Sequence, residues 1–473
     1  AAEWRVVSEG VAQRIRALEA FLADVYDRGD IMRDGIVPKS LVTSSSHYHR
    51  QAHGIVPPNG VRIHVAGVDL VRDEVGKFHV LEDNLRSPSG VSYVLENRRT
   101  LAHVVPEVFA GYRVSPVTEY PERLYRALAA AAPRDVHDPT VVVLTPGVYN
   151  SAHFEHAFLA RRMGAELVEG RDLFCRGGFV YMRTTQGPQP VHVIYRRLDD
   201  EYLDPVQFRG DSVLGVPGLL NAARAGAVTI ANGVGNGVAD DKALYPYVPK
   251  IIEYYLGEKA ILHNVATHDL TDPDVRAHVL ERLDKMVIKP VDGSGGYGLV
   301  IGPKATEAEL EEVAAAIIAD PRSWIAQPVV TLSTSPTVGT GGAVQPRHLD
   351  LRPFAVNDGK KIWVLPGGLT RVAMNAGSLV VNSSQGGGSK DTWVLAGTGE
   401  EEDGASLSAE AVLEARRLNR GLPTGGPITP RVSLPHTHEA RMRQQEEQQQ
   451  QATDEVVPDA TPVEAPQASE ASC

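Results

Sequence analysis

The most informative stretch of the sequence is Leu81-Glu82-Asp83-Asn84-Leu85-Arg86-Ser87-Pro88-Ser89-Gly90. It follows the apolar run Phe78-His79-Val80, and a second apolar run, Ile63-His64-Val65, lies upstream. Between the two runs, Asp73-Glu74-Val75-Gly76 has the composition of a turn. Apolar runs on either side of a turn predict two strands joined as a hairpin over residues 61 to 80.

Three oxygen-bearing side chains on this hairpin form the first candidate site. Successive strand residues face opposite sides, so Glu82 and Asn84 point the same way, and Asp69 can reach the same ion from the neighbouring strand. A site with few carboxylates suits Mg²⁺, which keeps coordination positions open for waters and nucleotide phosphates. Asp69, Glu82 and Asn84 are therefore predicted metal ligands. The alternative is a solvated acidic hairpin.

A second motif, Lys289-Pro290-Val291-Asp292-Gly293-Ser294-Gly295-Gly296-Tyr297-Gly298, lies between the apolar runs 286–288 and 299–301. Its glycines allow backbone N–H groups to approach phosphate oxygens, and Lys289 adds a positive charge. The lysine precedes the glycines and no helix is predicted directly after them, so the motif is not a P-loop. A tight turn also needs glycine for steric reasons alone. Lys242, in Asp240-Asp241-Lys242-Ala243, lies at the predicted start of a helix.

The remaining pattern predicts an α/β fold. An amphipathic helix is expected over residues 7–28, and Val141–Leu144, a helix over 152–163 and Glu166–Val168 form a βαβ-like unit. A further helix is expected from Glu307 to Ala319. Residues 398–473 are rich in Gly, Glu, Pro and Gln and are predicted to be mostly disordered. The expected domains are residues 1–110 with the N-terminal helix and metal strands, 111–235 with the Rossmann-like βαβ lobe, 236–397 with the lysines and glycine loop, and 398–473 as an acidic, Gln-rich tail.

Composition excludes several classes of protein. Hydrophobic residues make up 42% of the 473 residues, an ordinary value for a globular protein, and no apolar stretch is long enough to cross a bilayer. The formal net charge of -12 argues against a general nucleic-acid surface. Two cysteines, Cys175 and Cys473, cannot form a disulfide framework and suit a reducing compartment. A cytoplasmic protein is expected.

These motifs resemble the ATP-grasp superfamily, and specifically its circularly permuted branch, which includes glutathionylspermidine synthase-like proteins. Members usually place the two lysines before the Asp and Glu-x-Asn ligands, whereas here Glu82 precedes Lys289. That reversal is typical of the permuted branch. The resemblance runs from about residue 30 to 395, and it implies a circularly permuted ATP-grasp fold. Other phrases similar to the uncharacterised type 2 branch are Tyr195-Arg196-Arg197, His348-Leu349-Asp350-Leu351-Arg352-Pro353-Phe354 and Ser383-Ser384-Gln385-Gly386-Gly387-Gly388-Ser389-Lys390-Asp391.

The resemblance implies ATP and Mg²⁺ as cofactors, with Gln327 at the adenine-side hinge. Many relatives have an arginine two positions before the metal Asp, where this chain has Gly67. Another arginine must then neutralise a transferred phosphate, and Arg352, Arg86 and Arg371 are the candidates, although each could instead pair with a carboxylate. Substrate contacts are expected from Ser87, Ser89 and Arg196. The implied phosphate contacts are Lys242, Lys289, Gly293, Ser294, Gly295 and Gly296.

The expected activity is that of an ATP-dependent carboxylate-amine ligase, acting through an acyl phosphate on small-molecule or peptide acids and amines. Two alternatives stay open: a nucleotide-binding scaffold with reduced catalysis that recruits partner proteins, and a small-molecule phosphotransferase. The resemblance also implies a transglutaminase-like protein and an α-helical protein as companions. Neither nucleic acid nor a membrane is an expected partner.

Overall fold

The computed structural model describes residues 1–292, 298–339, 342–373, 377–378, 381, 387–396 and 443–445. The predicted phosphate contacts Gly293, Ser294, Gly295 and Gly296 lie outside the described residues. So does the tail that was predicted to be disordered, except for residues 443–445. Among the described residues, no helix is both long enough and apolar enough to span a bilayer.

Twelve α-helices and twenty strands are formed by the described residues. The helices are α1 (Ala2–Val25), α2 (Asp30–Arg33), α3 (Lys39–Thr43), α4 (Val91–Val104), α5 (Pro106–Gly111), α6 (Tyr120–Ala130), α7 (His153–Met163), α8 (Asp200–Leu203), α9 (Leu219–Arg224), α10 (Val248–Leu256), α11 (Pro273–Leu280) and α12 (Glu307–Ala319). The strands are β1 (Val65–Arg72), β2 (Phe78–Asn84), β3 (Val141–Leu144), β4 (Glu166–Val168), β5 (Leu173–Arg176), β6 (Phe179–Thr184), β7 (Gly187–Val191), β8 (Val193–Arg196), β9 (Thr229–Ala231), β10 (His263–Asn264), β11 (His268–Asp269), β12 (Met286–Pro290), β13 (Val300–Ile301), β14 (Trp324–Pro328), β15 (Thr334–Val338), β16 (Val344–Arg352), β17 (Phe354–Asn357), β18 (Ile362–Val364), β19 (Leu369–Val372) and β20 (Gly388–Asp391).

The predicted amphipathic helix is α1, which begins five residues before the predicted start. Its apolar stripe, which includes Val11, Ile15 and Leu22, is fully buried. Arg14 lies on the buried face as well, where its Nε donates to Asp83 at 2.7 Å. Asp83 lies between two predicted metal ligands and points away from them, so this ion pair fixes strand β2 to helix α1.

The largest sheet joins two distant parts of the chain. Its main order is β10-β2-β1-β16-β19-β20, and β17 also pairs with β1. The predicted hairpin therefore exists as β1 and β2, and its far edge is completed by strands from residues 344–391. The metal strands and the strands that follow the lysines thus form one sheet, as the permuted chain order requires.

The predicted βαβ unit is β3, α7 and β4, within the parallel sheet β4-β3-β8-β9. Asn232 directly follows β9 and connects this sheet to the metal strands. Its side-chain oxygen accepts from the backbone of His64 and Val65, and its Nδ2 donates to Val65 O and Leu85 O at 2.7 and 2.8 Å. The carboxyl end of the parallel sheet is therefore held beside the hairpin.

A third sheet, β11-β14-β12-β13, carries α12 on a small core of its own. Helix α12 spans the predicted residues, and its start is a capping box in which Thr306 and Glu309 bond each other's backbone N–H groups. Lys289 lies near the end of β12, and Gln327 pairs with Val287 across β14 and β12. This sheet brings the second lysine and the predicted hinge to one place.

Candidate functional site

Strand register brings the predicted metal ligands onto one face of the large sheet. Asp69 lies opposite Glu82, and Gly67 lies opposite Asn84. Residues directly opposite in an antiparallel pair share a face, as do residues two apart on one strand. The register then shifts so that Leu70 faces Val80, which leaves Leu81 as the extra residue of a β-bulge.

Asp69 is fully buried between two arginines. Both of its oxygens accept from Arg352, whose Nη2 lies 2.7 Å away, and Arg371 Nη2 lies at 2.6 Å. Burial acts to raise the pKa of Asp69, but the two guanidinium groups outweigh it and hold the pKa far below the usual range. Asp69 is therefore ionised and already neutralised by cations.

Glu82 and Asn84 offer the more accessible oxygens. The Glu82 side chain is 26% exposed, and its carboxylate lies 3.8 Å from Arg352 Nη2. Asn84 donates its Nδ2 to Gly67 O at 3.2 Å, which turns its side-chain oxygen to the other side. Hard oxygen donors of this kind fit Mg²⁺. Since the described residues contain no cluster of three His, Cys, Asp or Glu able to hold a metal, an ion here would need Asn84 and oxygens from a ligand.

Arg352 fills the space left by Gly67. A Cβ on Gly67 would lie 3.2 Å from Arg352 Cδ and 3.1 Å from Pro88 Cβ. The arginine expected from the resemblance at position 67 is thus absent, and the guanidinium of Arg352, on β16, pairs with Asp69.

Arg371 completes this charged cluster. It lies opposite Asp350 in the pairing of β19 with β16, and its Nε donates to Asp350 at 2.9 Å. Burial raises the pKa of Asp350 to about 6, although Arg371 opposes the shift. The charged cluster next to Glu82 therefore contains two arginines, Arg352 and Arg371, and two carboxylates, Asp69 and Asp350.

The two predicted phosphate lysines lie near this cluster. Burial lowers the pKa of Lys289 to about 8, while Glu82 and Asp69 are close enough for their charges to oppose the shift. Lys242 also acts on Lys289, in the same direction as burial, and its Nζ donates to Val291 O at 3.3 Å. The phosphate half and the metal half of the predicted site are therefore adjacent in space.

An apolar pocket adjoins Lys289, and its volume of about 100 Å³ is smaller than that of most small-molecule sites. Gln327 lies in its wall, and the amide of this buried side chain donates to Thr267 Oγ1 at 2.8 Å. The remaining lining residues are Val71, Leu81, Val265, Val287, Leu299, Ile301, Pro328, Val329, Val330 and Leu332.

Arg86 lies apart from Arg352 and Arg371. Its Nε donates to Asp240 at 3.1 Å; burial acts to lower the pKa of Arg86, but Asp240 raises it overall. His47 and Asp292 lie in the same recess, with His47 Nε2 3.8 Å from Asp292. Burial, followed by the charge of Arg86, holds the pKa of His47 well below its usual value. His47 is not among the predicted site residues, because its loop has no periodicity or ligand spacing that would indicate a site.

The predicted substrate residues separate into two groups. Ser89 Oγ accepts from Arg197 Nη2 at 2.5 Å, and Arg197 pairs with Glu155 at 3.2 Å. Ser87 Oγ is buried and has no hydrogen-bond partner among the described side chains. Arg196 does not join them, because it is fully buried and pairs with Asp200 at 2.8 Å. Its neighbour Arg197 instead donates to Pro88 O and Ser89 Oγ, in the segment that follows the predicted ligands Glu82 and Asn84.

The family model described as circularly permuted ATP-grasp type 2 matches residues 1–373. The chain belongs to this family. An uncharacterised protein of Mycobacterium tuberculosis is 64% identical over 396 residues, which are 84% of this chain and 72% of that protein.

Two more distant similarities carry names. A protein of Frankia casuarinae named as a putative glutamate--cysteine ligase is 46% identical over 394 residues, which are 83% of this chain but only 45% of that protein. A glutathione synthetase-like effector from Globodera pallida, solved in its apo form, aligns over 81% of this chain and 86% of its own, with 13% identity and a TM-score of 0.49.

Proposed function

We propose that this ATP-grasp protein is an ATP-dependent carboxylate-amine ligase that acts through an acyl phosphate. One observation carries the proposal. Lys289 lies at the edge of an apolar pocket and within electrostatic range of Asp69 and Glu82. A nucleotide with its base in the pocket would place its phosphates between the lysines and the carboxylates.

Family membership and a ligase-named relative support an ATP-dependent ligase in general. The Frankia protein is more than twice as long as the matched segment, so its name describes a protein of which this chain covers less than half. The choice of acid and amine is therefore proposed only as a class: a small-molecule or peptide carboxylate and a primary amine.

Each half of the site has a distinct part in the proposed reaction. Lys242 and Lys289 hold the phosphates, and Glu82 and Asn84 would hold Mg²⁺, which supplies charge neutralisation on those phosphates when bound. A substrate carboxylate oxygen attacks the γ-phosphorus, the bond to the β-phosphate oxygen breaks, and ADP leaves. Attack by the amine on the acyl carbon then expels phosphate and forms the amide, with loss of one proton from the nitrogen.

Arg352 and Arg371 are the proposed stabilisers of the transferred phosphoryl group. Both are held in place by the buried Asp69, so their guanidinium groups need little reorganisation when negative charge develops beside them. A scaffold without catalysis would be favoured if no arginine replaced the one expected at position 67. Arg352 lies against Gly67 and pairs with Asp69, so it can take that part.

The test is release of ADP and phosphate by the full chain with pooled acids and amines, with mass spectrometry of the products. We expect release that needs both an acid and an amine, and an amide product. The Glu82→Gln variant should lose most of its Mg²⁺-dependent turnover, whereas Glu96→Gln, on the exposed ion pair with Arg99, should not. Tight nucleotide binding without turnover in any pool would contradict the ligase and favour the scaffold.

A further inference from the structure

The three described residues of the tail, Arg443 to Gln445, lie against the parallel-sheet lobe. Gln444 and Gln445 are 2% and 1% exposed, which is unusual for residues of a polar, Gln-rich segment. Gln444 contacts backbone groups of the loop at residues 211–213, and Gln445 contacts the loop at residues 145–147. We call the space between these loops the tail groove.

Gln444 uses both ends of its carboxamide in the tail groove. Its side-chain oxygen accepts from Val213 N at 2.8 Å, and its Nε2 donates to Asp211 O at 2.5 Å. The backbone therefore offers one donor, Val213 N, and one acceptor, Asp211 O, and the carboxamide of Gln444 supplies the matching acceptor and donor. A carboxylate cannot match this pair, because one of its oxygens would face the Asp211 carbonyl without a proton between them.

Gln445 occupies the other side of the groove. Its Nε2 donates to Pro146 O at 2.5 Å, whereas its Oε1 has no partner among the described residues. A Cβ on Gly147 would lie 2.5 Å from this Nε2, and Gly147 has φ of 122°, so glycine leaves the space that the glutamine fills. Arg443 adds a weaker attraction: after Arg209, its charge contributes to the lowered pKa of Asp211.

The groove lies at the carboxyl edge of the parallel sheet. The loop at 145–147 directly follows β3. Gly170 lies just after β4, and a Cβ built on it would lie 2.1 Å from the carbonyl oxygen of Leu214, which directly follows the loop at 211–213. In open parallel sheets, ligands bind at this edge. The tail thus covers the part of the lobe where such sheets take their ligands.

We propose that the tail groove is a binding site for peptide carboxamide side chains, and that its occupant in this chain is its own tail, through Gln444 and Gln445. Recognition comes chiefly from Gln444, whose carboxamide is matched at both ends. None of these contacts involves a residue assigned to the nucleotide site, so docking of the tail can be tested separately from the ligase activity. Release of the tail would open the carboxyl edge of the lobe.

The test compares Gln444→Glu with Gln186→Glu in the full chain. The two changes add the same charge to the same lobe, but Gln186 is exposed, whereas Gln444 is buried with both ends of its carboxamide matched. Hydrogen–deuterium exchange is followed at Val213, whose amide donates to Gln444. We expect exchange at Val213 to become about tenfold faster or more in Gln444→Glu, and to be unchanged in Gln186→Glu.

Strand β3 serves as the internal reference, because its backbone hydrogen bonds do not involve the tail. If Gln444→Glu also speeds exchange throughout β3, the double variant Gln444→Ala, Gln445→Ala is used in its place. The double variant removes the contacts of both glutamines without adding charge. Equal exchange at Val213 in the parent and in the variant that keeps β3 intact would overturn the proposal. Equal acceleration by Gln186→Glu would overturn it as well, since a general charge effect would then explain the result.

Discussion

Lys289 should take up a proton when a nucleotide binds. In the free protein burial lowers the pKa of Lys289 to about 8, so at pH 8 about half of the molecules carry the charge, and at pH 9 about one tenth. Phosphates beside the amine favour its charged form, while the phosphates themselves, with a second pKa of about 6, are already ionised. Binding of ADP should therefore take up about 0.1 proton at pH 7, about 0.5 at pH 8 and about 0.9 at pH 9.

The same linkage lowers the apparent affinity for ADP by about fivefold between pH 8 and pH 9, because fewer free molecules carry the required charge. Calorimetric titration in buffers of different ionisation enthalpy measures the proton uptake directly. The matched control is Lys289→Arg, whose side chain stays charged throughout this range and should show neither effect from this position. If the parent and Lys289→Arg take up the same number of protons at pH 9, the placement of Lys289 beside the phosphates is wrong.

Three further changes test other parts of the site. Asp69→Asn leaves Arg352 and Arg371 without their shared buried anion. In urea denaturation this change should lower the free energy of unfolding by about 3–5 kcal/mol. The control is Glu82→Gln, at a partly exposed side chain, which should cost less than about 1 kcal/mol. Because the pKa of Asp69 is lowered, its contribution is present above the unfolded value of 3.8 and is lost as pH falls through the folded pKa, so the destabilisation by Asp69→Asn should be present at pH 7 and should shrink as the pH falls below 3.8. Gly67→Ala should displace Arg352 and slow turnover, measured as ADP formed, by about tenfold or more, with little change in the affinity for ADP. Gly111→Ala is its control, because a Cβ at Gly111 meets nothing within 4 Å. Equal turnover in the two variants would argue against a role for Arg352. Gly237→Ala places a Cβ 2.6 Å from His47 Cβ and should cost about 1–3 kcal/mol of stability in thermal unfolding, a loss that must exceed that of Gly111→Ala if the recess is packed as described.

The permuted fold could be predicted because its motifs are local. Glu82 and Asn84 are two residues apart, and the strand geometry alone predicts that they share a face. The spacing of apolar residues by three and four likewise predicted α1, and helix α12 was predicted with its observed limits. In each case the information lies within one element, so no knowledge of distant contacts is needed.

The sequence by itself determined which residues could carry charge to a nucleotide, and the order of its motifs indicated the family. Only the tertiary structure decided their partners. Arg352, Arg371 and Arg86 were equivalent candidates in the sequence, yet the first two converge on Asp69 while Arg86 pairs with Asp240. Likewise Arg197, rather than Arg196, reaches Ser89, because adjacent strand residues point to opposite faces. Such pairings depend on register between strands far apart in the chain, and no local pattern encodes that register.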